Sequence, residues 1–577
     1  MAKSDHHLAS ITRQATRPQR WDDPLDSTMS DATLDLLMAT EPFASMNENA
    51  FPAGTPLREI LRADTAVREY AAGEIILRKG DYGTSAFLIL EGEADVILRP
   101  DINPELLGRA PSVKKSFISR LAQLWNNHPE PEGWRRKSPR ASDNIKGAIQ
   151  RSHSSIYLQD YPQVLSDSET ATLKTGQLFG EISALSRTPR TATVLASSAH
   201  ARLLEFSWEG LRDIMRYDAA LKKQIDQTYR ENSLKSFLRN HPLFSHLDES
   251  SSIQLCEEAQ LESYGEYNWS GSYLRMSKEG NNAISANEPI IMREGEYLNG
   301  ILMISAGFCR VSQKYGSGER TLNYMGAGSV FGFEEISNYW TQGNQEPHSQ
   351  HTLRSLGYAN LIFIPTSAVE RYVNQEQYAR SVPSRAVPMH RDAAENNIAL
   401  SAGLMEFMAE NRFFNGTKSM VIDMDRCTRC DDCVRACAST HDGNPRFLRH
   451  GPMIDHLMIA NACMHCVDPV CMIGCPTGAI HRTSFGGEVV INPSSCIGCG
   501  TCATNCPYES IRMVEARSDK GEFLVDEEYQ PILKATKCDF CVEQESGPAC
   551  QNACPHDALS RTDLTHITSL TKWLKRK

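Results

Sequence analysis

The chain runs to 577 residues, enough for three or four domains of ordinary size. Its 41% hydrophobic and 23% charged residues are the proportions of folded globular protein, which excludes fibrous or low-complexity architectures. A formal net charge of −11 works against non-specific nucleic-acid binding, and no apolar run approaches the ~18 residues that a membrane-spanning helix needs.

Residues 1–52 mix Ser, Thr, Asp, Pro and His without sustained apolar periodicity and are expected to form a mobile tail. The opening MAKSDHHLAS lacks the apolar core of a signal peptide, so a cytoplasmic, thiol-reducing setting is expected. From Pro56 the pattern changes. Glu74 to Leu77, Ser85 to Leu90 and Ala94 to Leu98 are short β-prone runs, separated by the turn-formers Lys79-Gly80-Asp81 and Glu91-Gly92-Glu93. Short strands between glycine turns predict a small β-barrel or roll.

That roll carries Phe179-Gly180-Glu181-Ile182-Ser183, followed by Thr188-Pro189-Arg190-Thr191-Ala192-Thr193. Glycine lets a backbone approach a ligand closely, and the following turn can present amides to an anion. Glu181 can accept from a sugar hydroxyl, and the planar fork of Arg190 can hold a phosphate. An ordinary surface ion pair between turns is the alternative. With the preceding strands, the segment from about Arg58 to Tyr229 resembles cyclic nucleotide-binding domains, the family of the bacterial catabolite activator and the protein kinase A regulatory subunit. The resemblance implies a domain over 53–232 that takes cAMP or cGMP. Glu181 would hold the ribose, Arg190 the cyclic phosphate, and Gly180, Ile182 and Ser183 would supply amides; Thr191 hints at a guanine contact. An insertion over 104–169, basic at Lys114-Lys115 and Arg135-Arg136-Lys137, is read as a solvated loop rather than a docking element. A helical stretch from Trp208 to Ile214 closes the domain.

A second roll is expected over 233–374. Its equivalent of the cassette is Phe331-Gly332-Phe333-Glu334-Glu335-Ile336-Ser337. Aligning Ala201 to Phe206 with Ala359 to Ile364 puts His348 where the first roll has Arg190. Without the arginine fork this copy is expected to be degenerate. Gly326-Ala327-Gly328 with Gly332 misses the dinucleotide-binding spacing and is rejected. Cys256 and Cys309 are isolated and read as core thiols. Residues 375–415, with Pro383, Pro388 and a helical stretch from Leu400 to Asn411, are expected to be a linker. No helix-turn-helix candidate follows either roll.

The remaining sixteen of eighteen cysteines fall in four groups between 416 and 577. Cys427, Cys430, Cys433 and Cys437 follow C-x2-C-x2-C-x3-C. So do Cys496, Cys499, Cys502 and Cys506. Cys463, Cys466, Cys471 and Cys475 follow C-x2-C-x4-C-x3-C, and Cys538, Cys541, Cys550 and Cys554 are looser. Zinc uses two pairs per ion and leaves the third cysteine of each tight trio unexplained, whereas a cubane takes three close thiolates and a distant fourth. Proline follows Cys475, Cys506 and Cys554, but Ala438 follows Cys437. Val421-Ile422-Asp423 and Val490-Ile491-Asn492 stand at the same distance before Cys427 and Cys496, which marks an internal repeat of strand, cluster loops, strand.

The stretches DRCTRCDDCVRAC, ACMHCVDPVCMIGCPTGAI, CIGCGTCATNCPYESIRMV and KCDFCVEQESGPACQNACPHDAL resemble the four-cluster ferredoxin subunit of molybdopterin oxidoreductases such as dimethyl sulfoxide reductase. The resemblance implies that groups exchange their last cysteines. Cys427, Cys430 and Cys433 would pair with Cys554; Cys538, Cys541 and Cys550 with Cys437; Cys463, Cys466 and Cys471 with Cys506; and Cys496, Cys499 and Cys502 with Cys475. Leu564, Ile567, Leu570 and Trp573 predict an amphipathic terminal helix packed on its own domain.

The expected architecture is multidomain α+β: two jelly-roll-like β-rolls of the cyclic nucleotide-binding kind, then a duplicated ferredoxin-like polyferredoxin domain. The expected function is electron transfer through four [4Fe-4S] clusters between redox partners, a flavoprotein or a molybdoenzyme, modulated by cyclic nucleotide at the first roll. No flavin, nicotinamide or molybdopterin motif is present, so the chain is expected to be a component of an oxidoreductase rather than a catalyst. The alternative is a redox- and nucleotide-sensing regulator acting through a protein partner. Coupling is expected to run from the closing helix through the second roll and linker, leaving cluster potentials nearly unchanged.

Overall fold

Strand Ser85–Glu91 is buried on both faces, which is why it reads as an uninterrupted apolar run rather than an alternating one. In the computed structural model, which describes residues 12–99, 165–166, 168–266, 269–279, 287–316, 318–342, 346–373, 402–441, 443–484, 486–518, 521–544 and 547–565, this strand is central to the first roll. One sheet orders Thr65–Tyr70, Ala201–Ser207, Ser85–Glu91 and Leu178–Phe179; the facing sheet orders Ile75–Leu77, Thr193–Ala196, Glu93–Arg99 and Glu169–Lys174. Phe87, Ile89, Phe179 and Leu203 fill the space between them. Ala86, Leu88, Leu204 and Phe206 point the other way, onto helices Leu57–Asp64 and Trp208–Tyr217.

The expected mobile tail over 1–52 is corrected from Thr12 onward. Thr12–Gln14 pairs in parallel with Phe523–Val525 of the cluster domain, and Leu34, Leu37 and Phe43 enter the core of the first roll. Arg20 then bridges Asp64 and Asp213 at 2.9 and 2.6 Å. The segment is an arm whose order comes from contacts distant in sequence, so local periodicity does not reveal it. Most of the 104–169 insertion, the linker prolines and the terminal helix beyond residue 565 lie outside the described residues.

Helix Ala219–Asn240 leads to the second roll, where the long strands Gly300–Tyr315 and Thr352–Pro365 are neighbours in a six-stranded sheet. Bulges near Ala306 and Gly307 bend the first of them. Helix Ala402–Glu410, expected within a linker, instead shares a core with this roll: Leu404, Met408 and Phe414 pack with Phe308 and Tyr324, and with Val421, Leu457 and Ile459 of the cluster domain. Buried Glu288 accepts from Arg310 of the roll and from Arg412 beyond the helix, at 2.7 and 2.8 Å. The cluster domain pairs Ser419–Asp423 with Leu559–Thr562 and Ile480–Arg482 with Val489–Ile491, so the strand before one cysteine group meets the strand after another.

Candidate metal centres and nucleotide cassette

The repeat seen in sequence recurs in backbone geometry. The amides of Cys427 and Cys496 donate to the carbonyls of Asp423 and Asn492, each four residues back at the end of a strand. The second residue after the first cysteine is left-handed in all four groups: Arg429, His465, Gly498 and Phe540 have φ of 61, 50, 72 and 64°. That turn curls each C-x2-C back on itself. Helix Asp432–Thr440 continues through Cys437, where a proline at 438 would lose an amide; helix Thr501–Asn505 ends before Cys506, which leaves Pro507 free to follow.

Folding brings the sixteen thiols into four sets of four. Cys427, Cys430, Cys433 and Cys554 line one small cavity. Cys475, Cys496, Cys499 and Cys502 line another. Burial pushes the Cys466 thiol well up, and Cys463, Cys471 and Cys506 add to it. Cys437 is raised by burial and then by Cys538 and Cys550, and Cys541 by burial, Asp539, Cys538 and Cys550. None of the eighteen cysteines is paired in a disulfide. Buried thiols that raise one another cannot all ionise without a compensating cation, so the donor set fits a metal-sulfur cluster at each position.

Polar groups that sequence reasoning missed surround these sulfurs. Buried Arg561 donates to Cys538 Sγ at 2.8 Å and to the carbonyls of Lys418 and Cys463. The amides of Arg446 and Ser510 donate to Cys437 and Cys506 Sγ at 3.3 and 3.4 Å. Lys534 caps the Cys496 carbonyl, and Lys537 caps those of Val489 and Cys538. His441 lies 3.9 Å from Cys541 Sγ, and burial pulls its pKa down to about 4. Hydrogen bonds and cations of this kind offset cluster charge and tune potentials. Apart from the K-x2-K-C spacing, nothing in the sequence singles these residues out.

The cassette of the first roll is built as its residue types suggest. Gly180 has φ 80° and starts helix Glu181–Ser186; Glu181 and Ser183 are buried, whereas Ile182 and Thr191 are half-buried. The Arg190 fork donates to the carbonyls of Gly180 and Ser85, both at 2.7 Å, and burial pulls its pKa to about 10 against Glu205, Glu181 and Asp81. A Cβ at Gly83 would lie only 2.4 Å from the fork.

The second cassette corrects one residue. Gly80 donates to the Arg190 carbonyl and Arg190 to that of Asp81; in the second roll Gly295 donates to Ser349 and Ser349 to Glu296. Lys79 and Glu294 donate to Thr193 and Thr352, three residues on in each case. Ser349, not His348, therefore stands at the Arg190 position. Ala201 and Ala359 are equivalent in register, but the stretch from Thr352 to Ala359 is one residue shorter than that from Thr193 to Ala201. Phe333, buried in the core, replaces Glu181 after the matching left-handed Gly332.

Both rolls meet the cluster domain around one loop. Asp468, between Cys466 and Cys471, pairs with Arg187 of the first cassette and accepts from Trp269 Nε1 of the second roll at 2.8 Å. Tyr82 donates its amide to Ser484 at 3.0 Å, and the Arg482 guanidinium stacks 4.7 Å from its ring. The closing helix Trp208–Tyr217 also touches the cluster domain directly: Arg212 Nη1 donates to the carbonyls of Ile473 and Cys475 at 2.9 and 3.3 Å. The closing helix thus has a direct contact with the cluster domain besides the expected neighbourhood of the second roll and linker.

The 4Fe-4S dicluster domain family matches residues 454–564. Electron transport protein HydN of Escherichia coli is 32% identical over 180 residues, which cover 27% of this chain and 95% of HydN. Through this segment the chain belongs to the 4Fe-4S ferredoxin-like electron transport proteins. Protein NrfC of Escherichia coli is 31% identical over 195 residues, covering 31% of this chain and 80% of NrfC. The protein thus carries iron-sulfur clusters. Its N-terminal part is similar to the regulatory domain of Toxoplasma gondii PKA solved with cAMP, at 14% identity over 61% of this chain and 97% of that one, with a TM-score of 0.20. The strand order and cassettes of the chain itself, rather than that score, carry the roll assignment. Among the described residues no helix is long and apolar enough to cross a membrane.

Proposed function

We propose that this protein is a four-cluster [4Fe-4S] electron carrier of the dimethyl sulfoxide reductase ferredoxin type, delivering electrons between protein partners such as a flavoprotein and a molybdoenzyme. The observation that carries the reading is the gathering of sixteen thiols into four sets, each closed by a cysteine from another group. The clusters supply one-electron chemistry, and the chain holds, insulates and hydrogen-bonds them. Exposed Cys430 and Cys499 mark the two centres nearest solvent. Anaerobically prepared protein should hold about sixteen irons and sixteen sulfides, four cubanes' worth. Cys437→Ser should disturb the centre of Cys538, Cys541 and Cys550 more than that of its sequence neighbours. Stoichiometric zinc without visible absorbance would overturn the reading, and loss of only the Cys427 centre would overturn the exchange.

The first roll, in this proposal, takes one cyclic nucleotide, with Glu181 toward the ribose and the Arg190 fork exchanging its two carbonyls for the phosphate. Arg190→Ala should weaken binding by about 2–5 kcal/mol, the range for removing one partner of a desolvated charge pair. Ser349→Ala should leave it unchanged. Calorimetry that finds two equal sites, or none with cAMP or cGMP, would reduce both rolls to scaffolds.

A further inference from the structure

The closing helix of the first roll turns two faces to two different neighbours. Leu211 and Ile214 enter the roll's own core, while Glu209, Arg212 and Asp213, at i, i+3 and i+4, form one polar stripe, of which Glu209 and Arg212 meet the cluster domain and Asp213 meets Arg20 of the arm. A Cβ on Gly478 would come within 2.9 Å of both Glu209 carboxylate oxygens, so the loop after Cys475 lies against this stripe. Arg212 is fixed at both ends. Its Nη1 reaches the carbonyls of Ile473 and Cys475, and its Nε donates to Asp213 Oδ1 at 3.2 Å. Asp213 is in turn held by Arg20 of the N-terminal arm, which also grips Asp64.

Cys475 is the one thiol of its set that comes from a different cysteine group, so its loop must be brought to Cys496, Cys499 and Cys502 by contacts outside theirs. Thr477 supplies one, donating to the Ser495 carbonyl at 2.8 Å. Arg212 supplies another, and it brings a positive charge to the backbone of the ligand itself. A fixed cation beside an anionic centre favours the electron-rich state, and the effect declines with distance, so the centre at Cys475 feels it most.

We propose that Arg212 is a positioning residue for the Cys475 centre and raises the potential of that centre selectively, so that the first roll is part of its electrostatic environment. This rests on the four-cluster reading and goes beyond it by making one cluster's potential a property of the sensor roll.

The test is EPR-monitored redox titration of the full-length, anaerobically loaded protein with Arg212→Gln and Arg212→Lys, using Cys499→Ser to mark the signal of that centre. Arg212→Gln should keep its iron and lower the reduced-to-oxidised ratio of the marked centre about tenfold at a fixed poise, about 59 mV for one electron. Arg212→Lys keeps the charge and should stay near the parent. Four unshifted potentials in Arg212→Gln would overturn the proposal alone, as would an equal shift in both variants or a shift in an unmarked centre. If Arg212→Gln loses the marked centre, Arg212→Lys decides: a full complement at the parent potential supports positioning, and the same loss overturns it. An unmodified protein with fewer than four centres would overturn this proposal together with the reading beneath it.

Discussion

Glu209 shows how one side chain can make the contact between domains respond to pH. It is 7% exposed, and burial raises its pKa from 4.5 to about 7, with Asp64 adding to the rise and Arg212 and Arg20 opposing it. The native state therefore keeps the proton to higher pH than the unfolded chain, and this group's contribution to stability is complete below about 4.5 and falls as pH rises toward 7. Glu209→Gln should remove that fall. Its melting temperature relative to the parent should be higher at pH 8 than at pH 5, reflecting at most about 3 kcal/mol; a constant difference across that range would reject the assignment. Residues of this kind were not legible in the sequence, where Trp208 to Ile214 reads only as a closing helix. The cluster cysteines were legible because their chemistry repeats at short spacing. Arg561 and Arg212 were not, because each reaches its cysteine across 20 or more positions of chain.

Secondary-structure elements divide the same way. Strands such as Ser85–Glu91 and Val489–Ile491 announce themselves by composition, and the left-handed glycines Gly180 and Gly332 mark both cassettes. Helix Ala402–Glu410 was visible as a helix but not as part of a core, since its partners Phe308 and Tyr324 lie about a hundred residues earlier. The short turn that follows it matters more than its size suggests. Phe414 is 2% exposed, with ring centroids of Phe308 and Tyr324 at 4.8 and 5.3 Å, so it pins the second roll to the cluster domain. Phe414→Ala should cost about 3–5 kcal/mol, the range for an uncollapsed aromatic cavity. In a thermal scan the cluster domain should then melt separately from the rolls; a single unchanged transition would show that the seat does not depend on this ring.

Across the whole molecule, Asp468 ties together three bodies that the sequence presents as a string. Its carboxylate receives Arg187 from one roll and Trp269 from the other, while its own amide donates to Asn415 Oδ1 at 2.8 Å. The loop that bears it also bears Cys466 and Cys471, and that arrangement has a consequence for biogenesis. N-terminal domains leave the ribosome first, so the two rolls are complete before this loop is made. Asp468 is then seated between them, with half-buried Cys466 and Cys471 on the same loop. This order of synthesis predicts that iron and sulfide enter while the cluster segment is still undocked and that the seat closes last. Protein made without iron should keep both rolls folded but leave the Trp269 indole without its carboxylate, detectable as a shift in its fluorescence that reverses on cluster loading. An identical Trp269 environment with and without clusters would mean that the seat closes first and that the metal enters by another route.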